Sequence, residues 1–182
     1  MDNAHYGGVK RRVCEYGLLV MATFWVWVPG MVRGEDLPRE AVLPLSLAGK
    51  ATAMAVSECA KDGHRVSVAV VDRAGVLRAF QRADGAGPHT VESSQKKAYT
   101  AASMRAATGT IADLISKTPA AQGLQQMNDK ILFLAGGVPI ELNGEVVGGI
   151  GVGGAPGGHL DAVCAQAGLG SIGAAPKLQE PK

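Results

Sequence analysis

Asn143-Gly144 stands between two runs of β-forming residues, 138–142 and 145–152. Both residues tolerate the positive φ angles of a type I′ turn, which makes Asn-Gly between β runs the strongest short hairpin signal. A second hairpin reads from the β-branched run 65–71, the turn Asp72-Arg73-Ala74-Gly75 and the alternating run 76–82. A short apolar run at 130–135 reads as a further strand. Five strands with two tight hairpins demand a mainly antiparallel sheet.

Helical patterns fill the spaces between the strands. Residues 37–61 place Leu43, Leu47, Ala51, Met54 and Ala55 at helical spacing, with Pro38 in the first turn and Asp62-Gly63 as the stop. Residues 90–105 follow, with Thr90 as a cap. Shorter helices are expected at 110–117, capped by Thr110, and at 119–127. A last helix runs over 158–167 and stops at Gly168. The order α-β-β-α-α-β-β-β-α describes an α+β domain, a five-stranded mainly antiparallel sheet flanked by helices, rather than a doubly wound parallel sheet.

The first 34 residues are a different object. Lys10-Arg11-Arg12 precedes an apolar run from Gly17 to Val28, ended by Pro29-Gly30. That is the pattern of a secretory signal, or of an uncleaved N-terminal anchor, with Val32-Arg33-Gly34 as a cleavage site. The expected organisation is a leader over 1–34, a domain over 35–170 and a flexible tail over 171–182. The leader carries four basic and two acidic residues, which is the whole formal net charge of +2. The remainder is neutral, which excludes a nucleic-acid footprint. Membrane contact is expected only through an uncleaved leader, and the location is periplasmic or secreted. Cys59 and Cys164 remain in the mature chain. In an oxidising compartment such a pair forms a disulfide, and two free buried thiols are the alternative.

Ten glycines fall between Gly136 and Gly158. Gly149-Ile150-Gly151-Val152-Gly153-Gly154 matches G-x-G-x-x-G, but the chain ends before the second parallel strand of a dinucleotide fold. Two readings remain. Glycines let a strand and a helix approach closely, or the segment 153–158 holds an anion at a helix N-terminus. His89 and His159 both sit where glycine-rich loops meet helix starts. No spacing suited to structural zinc is present.

Six segments, in this order, resemble the GlcG/HbpS haem-binding family. They are 70–77, 82–86, 97–102 and 136–140, then 144–154 with 161–165. The family includes the C-terminal domain of the corrinoid adenosyltransferase PduO. The resemblance implies a five-stranded antiparallel sheet, homo-oligomers built on dimers, and haem as cofactor. It leaves catalysis open, with slow haem degradation or chemistry on a small organic acid as the options. Because axial ligands vary within the family, the iron ligand is chosen from this sequence: His159 first, His89 second. Lys97 is assigned to a propionate, and Gly153, Gly154 and Gly158 to backbone roles at the ligand. Phe80, Tyr99 and Phe133 are the stacking candidates. Two rivals stand beside haem binding. One is an enzyme or accessory protein taking a small carboxylate or phosphate at the glycine-rich loop. The other is an oligomeric structural or signalling partner without a ligand.

Overall fold

The computed structural model describes residues 39–174. The leader and the last eight residues of the expected tail lie outside the described residues. The elements are α1 (Leu45–Lys61), β1 (Ser67–Asp72), β2 (Leu77–Arg82), α2 (His89–Met104) and α3 (Thr108–Lys117). A 3-10 helix (Pro119–Gln126), β3 (Gly137–Leu142), β4 (Glu145–Gly153) and α4 (Gly158–Ser171) complete the described chain. The fold is α+β.

The sheet has four strands in the order β2-β1-β4-β3, all antiparallel. Both expected hairpins form, with Asn143 at φ 53° and Gly144 at φ 83° in the β3–β4 turn. The expected fifth strand at 130–135 does not form. Its backbone is claimed instead by side chains of the flanking helices. The Leu132 N–H donates to Thr100 Oγ1 (2.8 Å), and the Leu134 carbonyl accepts from Thr108 Oγ1 (2.6 Å). The same Thr108 oxygen accepts the Gly137 N–H at 2.9 Å. Partners supplied from helices satisfy the segment without a ladder, so it passes into β3 as a loop.

Helix ends shift too. α1 starts at Leu45, so the residues from Arg39 to Pro44 lie outside the helix. Thr90 and Thr110 do not cap their helices. Thr90 instead lies inside α2, where its Oγ1 donates to Gly87 O and bonds the buried Ser67 Oγ. α4 continues through Gly168 to Ser171, and Ala174 beyond it is fully buried. Gly168 does not stop the helix because it serves as a contact point. A Cβ there would lie 2.7 Å from the Ala51 carbonyl of α1.

One face of the sheet meets α1 and α4. Val68 and Val70 of β1, Ile140 of β3, and Ile150 and Val152 of β4 pack there against Ala48, Ala51, Ala55, Ala165 and Leu169. Met54, at helical spacing with that stripe, points to solvent. The α1–α4 layer is closed by a Cys59–Cys164 disulfide spanning 105 residues. The other face meets α2 through glycine. Gly149, Gly151 and Gly153 alternate along β4 and so share one face. A Cβ on Gly151 would lie 2.1 Å from Ser94 O and 2.4 Å from Ala98 N, both backbone atoms of α2. One on Gly149 would meet Ala98 O at 2.4 Å, and one on Gly137 of β3 would meet Lys97 O at 2.5 Å. The glycine-rich strand is therefore a bed for a helix.

Candidate functional site

Helices α2 and α4 start at the same end of the sheet, on opposite faces. Gly154 ties their entries together, since a Cβ on it would meet Thr90 Cγ2 of α2 at 3.3 Å and Arg65 O at 2.6 Å. The two candidate imidazoles stand at these helix starts. His89 is the first residue of α2 and His159 the second of α4, and both are exposed. Each ring folds back over the glycine two residues before it. A Cβ on Gly87 or on Gly157 would lie 2.6 Å from its histidine's Cε1. Glycine at these positions makes room for the rings. Among the described residues neither imidazole forms a side-chain hydrogen bond or an ion pair. Both therefore keep nitrogen atoms free for a metal.

Lys97 lies elsewhere than its assigned role requires. It projects from α2 past the start of β3, through a gap left by Gly136 at φ 116°. Its ammonium donates to Asp161 Oδ2 at 2.7 Å and to the Val152 carbonyl at 2.9 Å. Lysine and aspartate are both buried. Asp161 Oδ1 accepts the Ala155 N–H at 3.0 Å, which folds the loop after β4 back onto α4. Burial raises the Asp161 carboxyl above its ordinary value, against the pull of the Lys97 ammonium. The pair thus joins α2, β4 and α4 and shapes the loop that presents His159. Buried on Asp161 and the Val152 carbonyl, the Lys97 ammonium offers little surface to a propionate.

The same geometry bears on the anion reading of residues 153–158. Asp161 already takes the Ala155 N–H, so an acidic group occupies the turn that an anion would enter. Gly158 packs on Ala135, 2.8 Å from its carbonyl to a built Cβ, and Gly153 on Ser93 Oγ. Their lack of side chains serves packing. Asp161 was missed as a site residue by sequence reasoning. The available signal was an acid in the first turn of a helix that follows glycines.

The stacking candidates do not gather at the histidines. Phe80 packs beside Ala69, Val71, Ala98 and Ala102 on the α2 face. Tyr99 follows His89 by ten residues in α2, about 15 Å along the axis. Phe133 is half-buried in the loop before β3. A cleft of about 290 Å³ opens between the start of α3, β3 and α4, with Arg105 on its rim. It holds neither histidine.

A model of the family described as haem degrading protein HbpS-like matches residues 43–170. An uncharacterized 15.0 kDa protein of Citrobacter freundii is 39% identical over 90 residues, 49% of this chain and 63% of that protein. The chain thus spans less than two thirds of that relative. The crystal structure of a double mutant of Streptomyces reticuli HbpS is similar at 43% identity and a TM-score of 0.71, covering 79% of this chain and 95% of that one. That of a PduOC:heme complex is similar at 26% identity and a TM-score of 0.69, covering 75% and 99%.

Proposed function

The chain belongs to the HbpS-like family, and from that premise we propose that it is an exported haem-binding protein. The observation that carries the reading is the pair of exposed imidazoles at one end of the sheet, in a fold shared with a haem complex. The residues fit the group in one respect that matters. His159 and His89 stand free of other partners, and glycine-backed rings are open to a flat ligand. His159 would hold the iron, with His89 as the second candidate for that role. Bound haem supplies one-electron chemistry at iron, tuned by axial ligand and burial. The chain's own part is to hold the His159 loop through Lys97 and Asp161. Among the described residues neither histidine lines the three best-formed clefts, and a homo-oligomer would cover the ligand's outer face.

Haem titration of the purified protein tests this. The expected result is a Soret shift at micromolar haem that is lost or moved in His159→Ala. No shift, or one unchanged in both His159→Ala and His89→Ala, overturns the ligand assignment. Export is supported by the basic-apolar segment at 10–28 and by the Cys59–Cys164 disulfide, a bond that persists in oxidising compartments. Fractionation of expressing cells with mass analysis of the N-terminus checks it. An intact N-terminus on cytoplasmic protein with both thiols reduced would refute export.

A further inference from the structure

At the far end of the sheet from the histidines, the α2 face opens into a cleft of about 320 Å³. Its floor is Val71 and Leu77, paired across the β1–β2 ladder. Leu77 is 45% exposed, which is a large aliphatic surface left uncovered on a strand. Tyr99 is the wall. Its ring lies over the β1–β2 turn, where a Cβ on Gly75 would sit 2.6 Å from two ring carbons. Lys130 stands above that ring, with its Nζ 5.6 Å from the centroid. The Lys130 N–H donates to Asn128 Oδ1 at 2.9 Å, which fixes the backbone that carries the ammonium. Two more charges line the cleft, and they cancel: Lys96 Nζ lies 2.7 Å from Glu92 Oε1. Among the described residues Lys130 has no ion-pair partner. The cleft therefore combines an aliphatic floor, an aromatic wall and one uncompensated positive charge.

We propose that this cleft binds a small aromatic monocarboxylate, its ring on Leu77 and Tyr99 and its carboxylate on Lys130. The size sets one bound, because pockets for small ligands run from about 300 to 1,000 Å³ and this one is at the lower end. One or two fused rings fit, and a tetrapyrrole does not. The charges set the other bounds. A cation would meet Lys130 head-on, and a second carboxylate would find no free cation, since the Lys96 ammonium is already paired with Glu92. Burying an aryl ring against Leu77 removes apolar surface from water on both partners, and a charge-assisted hydrogen bond to Lys130 fixes its orientation. The site is independent of the haem reading, since Tyr99 stands about 15 Å along α2 from His89.

Calorimetric titration of the full chain with 2-naphthoate tests it, with naphthalene-2-carboxamide as the uncharged comparison. Binding is expected with a Kd below about 1 mM. The carboxamide should bind at least about tenfold more weakly, and so should naphthoate to Lys130→Gln. That variant changes an exposed side chain, and an unchanged melting curve will show that it folds. Methyl NMR adds a location: Val71 and Leu77 methyls should shift on addition of naphthoate. No binding, equal affinity for acid and amide, an unaffected Lys130→Gln, or shifts confined to other methyls would each overturn the proposal. Saturating the protein with haem should leave naphthoate binding intact, and displacement would overturn it. If no haem binds at all, the naphthoate result still decides this site alone.

Discussion

Replacing Gly151 by alanine tests whether the glycine-rich strand is a helix bed. The added Cβ would sit 2.1 Å from Ser94 O and 2.4 Å from Ala98 N. Ordinary carbon contacts need about 3.5 Å, so the strand and α2 must part by more than about 1 Å. Neither contact is the tip of a flexible side chain, so a rotamer change gives no relief. α2 is also held at Gly149 and Gly137, and by the Lys97–Asp161 pair. Overpacking of this kind costs about 1–3 kcal/mol, occasionally more, and the backbone contacts place Gly151→Ala at the upper end. With an unfolding entropy of about 2.1 cal/mol/K per residue over the 136 described residues, about 3 kcal/mol lowers Tm by roughly 10 °C. Gly49→Ala is the control. Gly49 lies inside α1 with nothing within 4 Å of a built Cβ. It should gain about 0.5–1 kcal/mol from the lower helix cost of alanine. Melts followed by far-UV circular dichroism read both. If Gly151→Ala melts within about 2 °C of the parent, the close packing of α2 on β4 is wrong, and the glycines need another explanation.

Three further outcomes follow from the same packing. Replacing both Cys59 and Cys164 by serine opens a 105-residue loop, and the chain-entropy relation gives a loss of about 4–5 kcal/mol. Denaturant titrations with and without reductant measure it, and equal midpoints would refute a stabilising bond. Lys97→Met and Asp161→Asn each leave a buried group without its partner, at about 3–5 kcal/mol. Single losses that simply add in the double variant would deny that the two act as a pair. Burial lifts the Asp161 carboxyl above 3.8, so as pH falls the folded chain takes up this proton before the unfolded chain does. This group's contribution is present below the ordinary value and lost as pH rises through the raised one. The stability gap between the parent and Asp161→Asn should therefore widen as pH falls toward about 4, and a gap that narrows throughout would refute the sign.

The two hairpins were legible because their turns carry their own chemistry. Asn143-Gly144 and the Asp72–Gly75 turn need no distant partner to form. Asp72 Oδ1 even accepts the Ala74 and Val76 N–H groups, both at 3.0 Å. The segment 130–135 was misread because its apolar pattern carries no record of what its backbone bonds to. Thr100 and Thr108 supply those partners from 32 and 26 residues away. Threonines inside helical runs look like weak helix formers in a sequence, and nothing local marks them as anchors for a loop. The same blindness moved the helix caps, since Thr90 spends its hydroxyl on Ser67 and on Gly87.

The candidate site divides along the same line. His89 and His159 were singled out because a histidine after Gly-Pro or Gly-Gly at a helix start is a local pattern, and both do stand at helix starts. Lys97 was found for the wrong contact. In sequence it is a cation among alanines, and a cation invites an anionic ligand. Its anion is Asp161, 64 residues on and across the sheet, reached only because Gly136 leaves a gap. The G-x-G-x-x-G string shows what could have been read better. A phosphate-binding turn needs its glycines in a loop, whereas Gly149, Gly151 and Gly153 keep the two-residue period of a strand. That period puts all three on one face, and a face without side chains is completed by something laid against it. The alanine-rich pattern of α2, with Ala98, Ala101 and Ala102 buried, supplies a helix thin enough to lie there. Strand period and small helix residues together thus argue for a packing bed from the sequence alone. They account for Gly149, Gly151 and Gly153 by packing, with no ligand required.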